Sequence, residues 1–195
     1  MSRFSLSLAA LSWLLAGSFA FAQDTAEPEA EPEVVAEEKA EVPTPTVNED
    51  APPEQVVAVH GDWQIRCRVE SGGCFMYQLA VDAREVPIAE MSIVPLEADD
   101  GRLAGFTIVT PLRTLLTEGV TLQIDNGRLQ KYQFGWCTEA GCAARFAVRE
   151  DGLYQFKRGN KTRLTVLSVE KPDAPVILDV SLKGFTAAFA DLQQR

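Results

Sequence analysis

The chain has 195 residues and a single histidine, His60, with no Cys-x-x-Cys and no Gly-x-Ser-x-Gly. Each shortage removes a class of chemistry. A Ser-His-Asp relay would have to use His60 as its base, but no nucleophile elbow supplies the serine. His60 stands beside Gly61 and Asp62 at the mouth of an apparent strand, and a structural role is expected of it. Without Cys-x-x-Cys the thioredoxin-like redox option falls away. Gly72-Gly73 and the Gly101/Gly105 pair are not followed by Lys-Ser/Thr opening a helix, so there is no phosphate loop. The acid pairs Asp99-Asp100 and Glu150-Asp151 are adjacent in sequence, whereas glycosidase carboxyls must face each other across about 5 to 9.5 Å. They are expected to be turn and cap residues. Internal repeats are also missing, and beyond the amino terminus no apolar run approaches the roughly 20 residues that span a bilayer.

What is present begins with Arg3, an apolar run from Leu6 to Ala16, and Ala20-Phe21-Ala22. That order is a positive region, a short hydrophobic region and a small-residue cleavage site. Residues 1–22 are therefore expected to be a secretory signal peptide, with cleavage leaving Gln23 first and no stable membrane insertion. Residues 23–55 hold eleven acids, one lysine, six prolines and no aromatic residue. Such a segment buries too little apolar surface to offset a backbone ordering cost of about 1–2 kcal/mol per residue, and is expected to be a disordered acidic tether. Its net charge equals the whole chain's −10, because residues 56–195 carry 17 acids against 16 bases. The tether's charge opposes nucleic acid as a partner.

Residues 56–195 suit one domain. Trp63, Ile65 and Cys67 alternate with polar neighbours, and Ser71-Gly72-Gly73 turns the chain into Cys74 to Leu79. Strands follow over 86–94 and 103–109, then an irregular crossing from Thr110 to Gly119. Val120 to Ile124 and Leu129 to Trp136 flank Asp125-Asn126-Gly127, where Asn-Gly tolerates the positive φ of a tight hairpin. With Ala143 to Val148 these make three sequential neighbours. Glu150 to Gly159 places acids first, bases last and glycine after, which suits a short helix. Strands at 162–169 and 176–182 are joined by Lys171-Pro172-Asp173-Ala174-Pro175, and Phe185 to Gln193 ends the chain as a short amphipathic helix. Some eight short strands at regular spacing predict an all-β sandwich.

Four cysteines in an exported chain point to two disulfides, with three connectivities open. Each local pair lies where a hairpin brings its α-carbons into bonding range, roughly 4.4–6.8 Å, so Cys67–Cys74 and Cys137–Cys142 are expected. The intervals of six and four residues fit structural zinc poorly in an oxidising compartment. Lys157, Arg158, Lys161 and Arg163 form a basic cluster: a solvated helix end by default, and otherwise a surface for an anionic partner. No residue set points to a metal or cofactor.

Four ordered motifs carry a family resemblance: Trp63 to Cys67, Gly119 to Asp125, Phe134 to Cys142 ending Cys-Thr-Glu-Ala-Gly-Cys, and Ser181 to Ala188. Together they resemble the invasion-associated locus B family over about Val57 to Leu192. Pro111 to Glu118 departs from the family's Pro-x-Gly-Val pattern, and the acidic tether lies outside the family's core. The resemblance implies an exported bacterial protein with an immunoglobulin-like β-sandwich, no catalytic residues, and members that assist entry into host red cells. The expectation is a non-enzymatic periplasmic or secreted protein, binding an unknown protein partner in the envelope or on a host cell. The alternative class is a periplasmic hydrolase or inhibitor with an unrecognised site.

Overall fold

The computed structural model describes residues 53–97 and 99–195. The expected signal peptide, 1–22, and residues 23–52 of the expected tether lie outside the described residues. The strands are β1 (Glu54–His60), β2 (Trp63–Arg68), β3 (Cys74–Val81), β4 (Pro87–Pro95), β5 (Ala104–Thr110) and β6 (Val120–Ile124). They continue as β7 (Gln130–Tyr132), β8 (Phe134–Thr138), β9 (Gly141–Val148), β10 (Lys161–Ser168) and β11 (Lys171–Ser181). Helix α1 (Glu150–Arg158) precedes β10, α2 (Phe185–Leu192) ends the domain, and a 3-10 turn, Leu116–Glu118, lies in the irregular crossing. β1 begins two residues inside the segment expected to be tether. Glu54 and Gln55 pair with Arg68 and Cys67, and the Pro53 carbonyl accepts from Val69 N–H at 3.0 Å.

Period-two patterning decides which side of each strand is buried. Ala104, Phe106, Ile108 and Thr110 alternate with half-buried neighbours along β5, as do Val120, Leu122 and Ile124 along β6. The all-β expectation holds, with a short carboxy-terminal helix. The two-sheet immunoglobulin-like arrangement is replaced by one sheet, in the order β7-β6-β10-β11-β3-β4-β5-β9-β8, with β2 and then β1 added beside β3. The reason lies at Gln133. Instead of one return strand from Leu129 to Trp136, the chain pairs Gln130–Tyr132 with β6 and Phe134–Thr138 with β9, two strands at opposite ends of the sheet path. Phe134 faces Ala144, so the same register carried back two residues sets Tyr132 opposite Phe146, and their rings stack at 3.7 Å between centroids. A kinked strand shared by both ends rolls the sheet into a nearly closed barrel.

Aromatic packing and the two helices fill the interior. Phe106 stacks on Phe146 at 5.0 Å and meets Phe156 of α1 at 4.6 Å. Phe156 meets Phe185 of α2 at 5.6 Å, and Phe185 takes the edge of Trp63 at 5.5 Å. Each fully buried apolar side chain of this size contributes about 1.5–3 kcal/mol, and together they tie both helices to the sheet.

Two turns differ from expectation. At the β6 hairpin the positive φ of 47° falls on Asp125, not on Asn126 or Gly127. The Asp125 carboxylate there accepts from the Asn160 and Lys161 amides, at 3.1 and 3.0 Å, and so binds the turn to the start of β10. Those amides hold its carboxyl below the usual range. The segment Lys171 to Pro175, expected to be a linker, belongs to β11. Ser168 faces Lys171 and Val166 faces Val176, so the intervening prolines, which cannot donate to a ladder, sit in a bulge.

Thr162 is fully buried, and its hydroxyl has no hydrogen-bond partner. An unpaired buried hydroxyl costs about 1–3 kcal/mol, and valine has nearly the same shape. Thr162→Val should therefore raise the stability measured by urea unfolding, by about 1 kcal/mol; a loss of stability would show that the hydroxyl is satisfied in solution.

Candidate interaction site

The ladder on one side of β3 divides between two strands. β2 pairs with Cys74 to Tyr77, while β11 meets β3 only where Asp179 faces Val81. Gln78 fills the split. Its side-chain amide donates to the Asp62 carbonyl at 2.9 Å and the Ser181 carbonyl at 3.2 Å, and its oxygen accepts from Ser181 N–H at 2.7 Å. A side chain thus does what strand backbone does elsewhere, because β2 and β11 diverge here.

Outside the split lies a cavity of about 630 Å³, bounded by residues of β2, β3, β11 and the start of β10. On one wall the Arg66 guanidinium lies over the Tyr77 ring, 3.5 Å from its centroid, and its Nε donates to Gln64 at 2.9 Å. Burial pushes the Tyr77 hydroxyl up to about 12, the negative charge of Glu90 adds to this, and Arg66 opposes it. Tyr77 stays protonated and able to donate. On the other wall Lys161 Nζ donates to Asp179 Oδ2 at 2.8 Å; Arg163, opposite Asp179 on β10, brings its Nε within 3.8 Å of Asp179 Oδ1, and these two atoms are buried without a hydrogen bond. Leu79, which lines the cavity, is 41% exposed, and Ile177, two residues before Asp179 and so on the same side of β11, is 50% exposed.

The structure divides the basic cluster singled out in the sequence. Lys161 and Arg163 share Asp179 on β10 and β11. Lys157 and Arg158 lie at the end of α1, Lys157 over the Phe189 ring at 5.2 Å and Arg158 donating to the Tyr154 hydroxyl at 2.6 Å. Gln78, Arg66, Tyr77 and Asp179 were not singled out. A lone amide within the apolar run Phe75 to Val81 was the one available signal, and nothing local shows that β11 comes beside it.

Both disulfides join the local pairs, Cys67 to Cys74 and Cys137 to Cys142, each directly opposed in its hairpin. They clasp hairpins, and neither lines the cavity. His60 packs as a structural residue: its Nε2 lies 2.7 Å from Asp191 on α2. Arg195 first, and His60 next, hold the Asp191 carboxyl below its usual range. No described helix is long and apolar enough to cross a membrane.

A rolled, helix-plugged β-sheet with two disulfide-clasped hairpins defines the class of protein. The family model for invasion associated locus B (IalB) protein matches residues 63–193, and the chain belongs to this family. It is 28% identical over 137 residues to invasion protein B homologs of Brucella abortus strain 2308 and of biovar 1 strain 9-941, covering 68% of this chain and 76% of each relative. The solved structure of invasion associated protein B from Bartonella henselae is similar in fold, with a TM-score of 0.60 at 24% identity, covering 70% of this chain and 95% of that one.

Proposed function

We propose that the chain is an exported, non-catalytic envelope protein that acts by protein contact, through the face between β2 and β11. The observation that carries this is Leu79 exposed beside the charged Arg66, Lys161 and Asp179 at the cavity, with Arg163 and Ile177 flanking Asp179 on β10 and β11. An apolar centre with a charged rim is the usual anatomy of a protein interface. Two disulfides support an oxidising compartment, periplasmic or extracellular. The relatives' names connect them with invasion, which makes a host-cell surface one setting for the contact.

A photo-crosslinking residue in place of Leu79 or Ile177, introduced in the producing cell, tests this. Discrete protein adducts are expected from both positions and not from Val169, which is equally exposed elsewhere. Absence of adducts at 79 and 177, or the same adducts from all three, would overturn it. Saturable binding of the folded protein to host cells separates a host setting from an envelope one.

A further inference from the structure

The second place where the barrel ladder parts is between β7 and β9. From the Tyr132–Phe146 stack the register continues to Gln130 opposite Val148, but no ladder forms there, and the two strands diverge. The wedge opens into two adjoining cavities of about 290 and 540 Å³, which share Gln130, Tyr132, Asp151 and Gln155. Arg102 and Arg149 stand at one end, and Arg128 and Lys131 at the other. Arg102 is paired with Asp100 and Lys131 with Glu118. Arg128 and Arg149 carry no ion pair among the described residues. Arg149 makes only a minor charge contribution at Asp100, whose carboxyl is lowered first by Arg102. Asp151 is the one acid among the described residues that line the wedge.

We propose that this wedge binds an acidic, extended polypeptide segment from another protein. Two strand edges that part from one another offer an extended chain a place to continue the ladder, and side-chain pockets between them set its register. The unpaired guanidiniums of Arg128 and Arg149 select carboxylates, which they hold by charge-assisted, commonly bidentate hydrogen bonds. The amide groups of Gln130 and Gln155, which line both cavities, add neutral donors; the Gln130 oxygen accepts from the Tyr132 hydroxyl. Cations divided between two adjoining cavities match charges spaced along a chain better than one compact anion. This site is separate from the β2/β11 face and stands or falls independently of it.

The test uses the exported full chain and a ten-residue glutamate oligomer, with a ten-residue lysine oligomer as control, followed by calorimetry and by amide resonances. Saturable binding of the glutamate oligomer is expected, with resonance shifts concentrated at Gln130 to Tyr132 and Phe146 to Gly152. Arg128→Glu with Arg149→Glu should weaken it at least tenfold. Arg128→Gln with Arg149→Gln, which spares the fold a reversed charge, should weaken it in the same direction. No saturable binding, shifts centred elsewhere, or affinity unchanged in the glutamine variant would overturn the proposal. Equal affinity for inorganic phosphate or for vesicles of anionic lipid would overturn it too, by showing a generic anion site.

Discussion

Gly184→Ala should destabilise the domain by about 3 kcal/mol or more, the combined expectation for backbone strain and a forced backbone shift. Gly184 has φ 88°, outside the range of ordinary L-residues, and a Cβ there would come within 2.0 Å of the His60 carbonyl oxygen and 2.5 Å of its carbon. The neighbour is backbone, so no rotamer change relieves it. On the opposing loop a Cβ on Gly61, φ 59°, would meet the Lys183 carbonyl oxygen at 2.5 Å. These two glycines let the loop after β1 and the loop before α2 touch directly, joined by Asp62 N–H donating to Lys183 at 3.1 Å. Gly184 is also the residue before α2, and its carbonyl accepts the bond from Ala188 N–H at 2.9 Å. Displacing it moves the helix that carries Phe185 and Phe189. Urea unfolding should show the loss, accompanied by greater binding of a hydrophobic dye. Gly72→Ala is the control, since Gly72 has φ 67° but open space around a Cβ. It should show only the strain of a left-handed alanine, about 1–2 kcal/mol. Equal losses at the two sites would refute the argument from contact.

Trp63→Ala should cost about 3–5 kcal/mol, the range for removing a large aromatic from a packed core. Trp63 is fully buried, meets Phe185 edge-on, and donates from its indole N–H to the Ser181 carbonyl at 3.0 Å. The substitution opens a cavity, frees α2 on one side and removes a bond at the end of β11. Trp63→Phe keeps much of the volume and removes the donor, so a smaller loss is expected. If phenylalanine proved as damaging as alanine in denaturant titration, the hydrogen bond and not the packing would dominate.

Much of the fold was legible because its causes are local. Alternation in 63–67, 104–110 and 120–124 follows from having one face in the core, and the acid-first, base-last order of 150–158 suits a helix dipole. The disulfides were legible because each bridges its own hairpin. The errors have other causes. The break at Gln133 depends on which distant strand lies alongside, and a period-two pattern is the same whichever neighbour a strand finds; Lys171 to Pro175 joins the hairpin ladder with β10 through a bulge, which its two prolines disguise as a linker. The interaction site was harder still. Lys161 and Arg163 stood out as charge, but Asp179, which they share, is distant in sequence, and Arg66 gains its setting only by lying over Tyr77.

The sequence by itself determined most of the strands, both helices, the hairpin disulfides and the family, because each rests on periodicity, spacing or ordered motifs within short stretches. Only the tertiary structure decided that the strands roll into one nearly closed sheet. Closure requires residues 130–138 to serve both β6 and β9, and the two clefts open where ladders between distant strands run out.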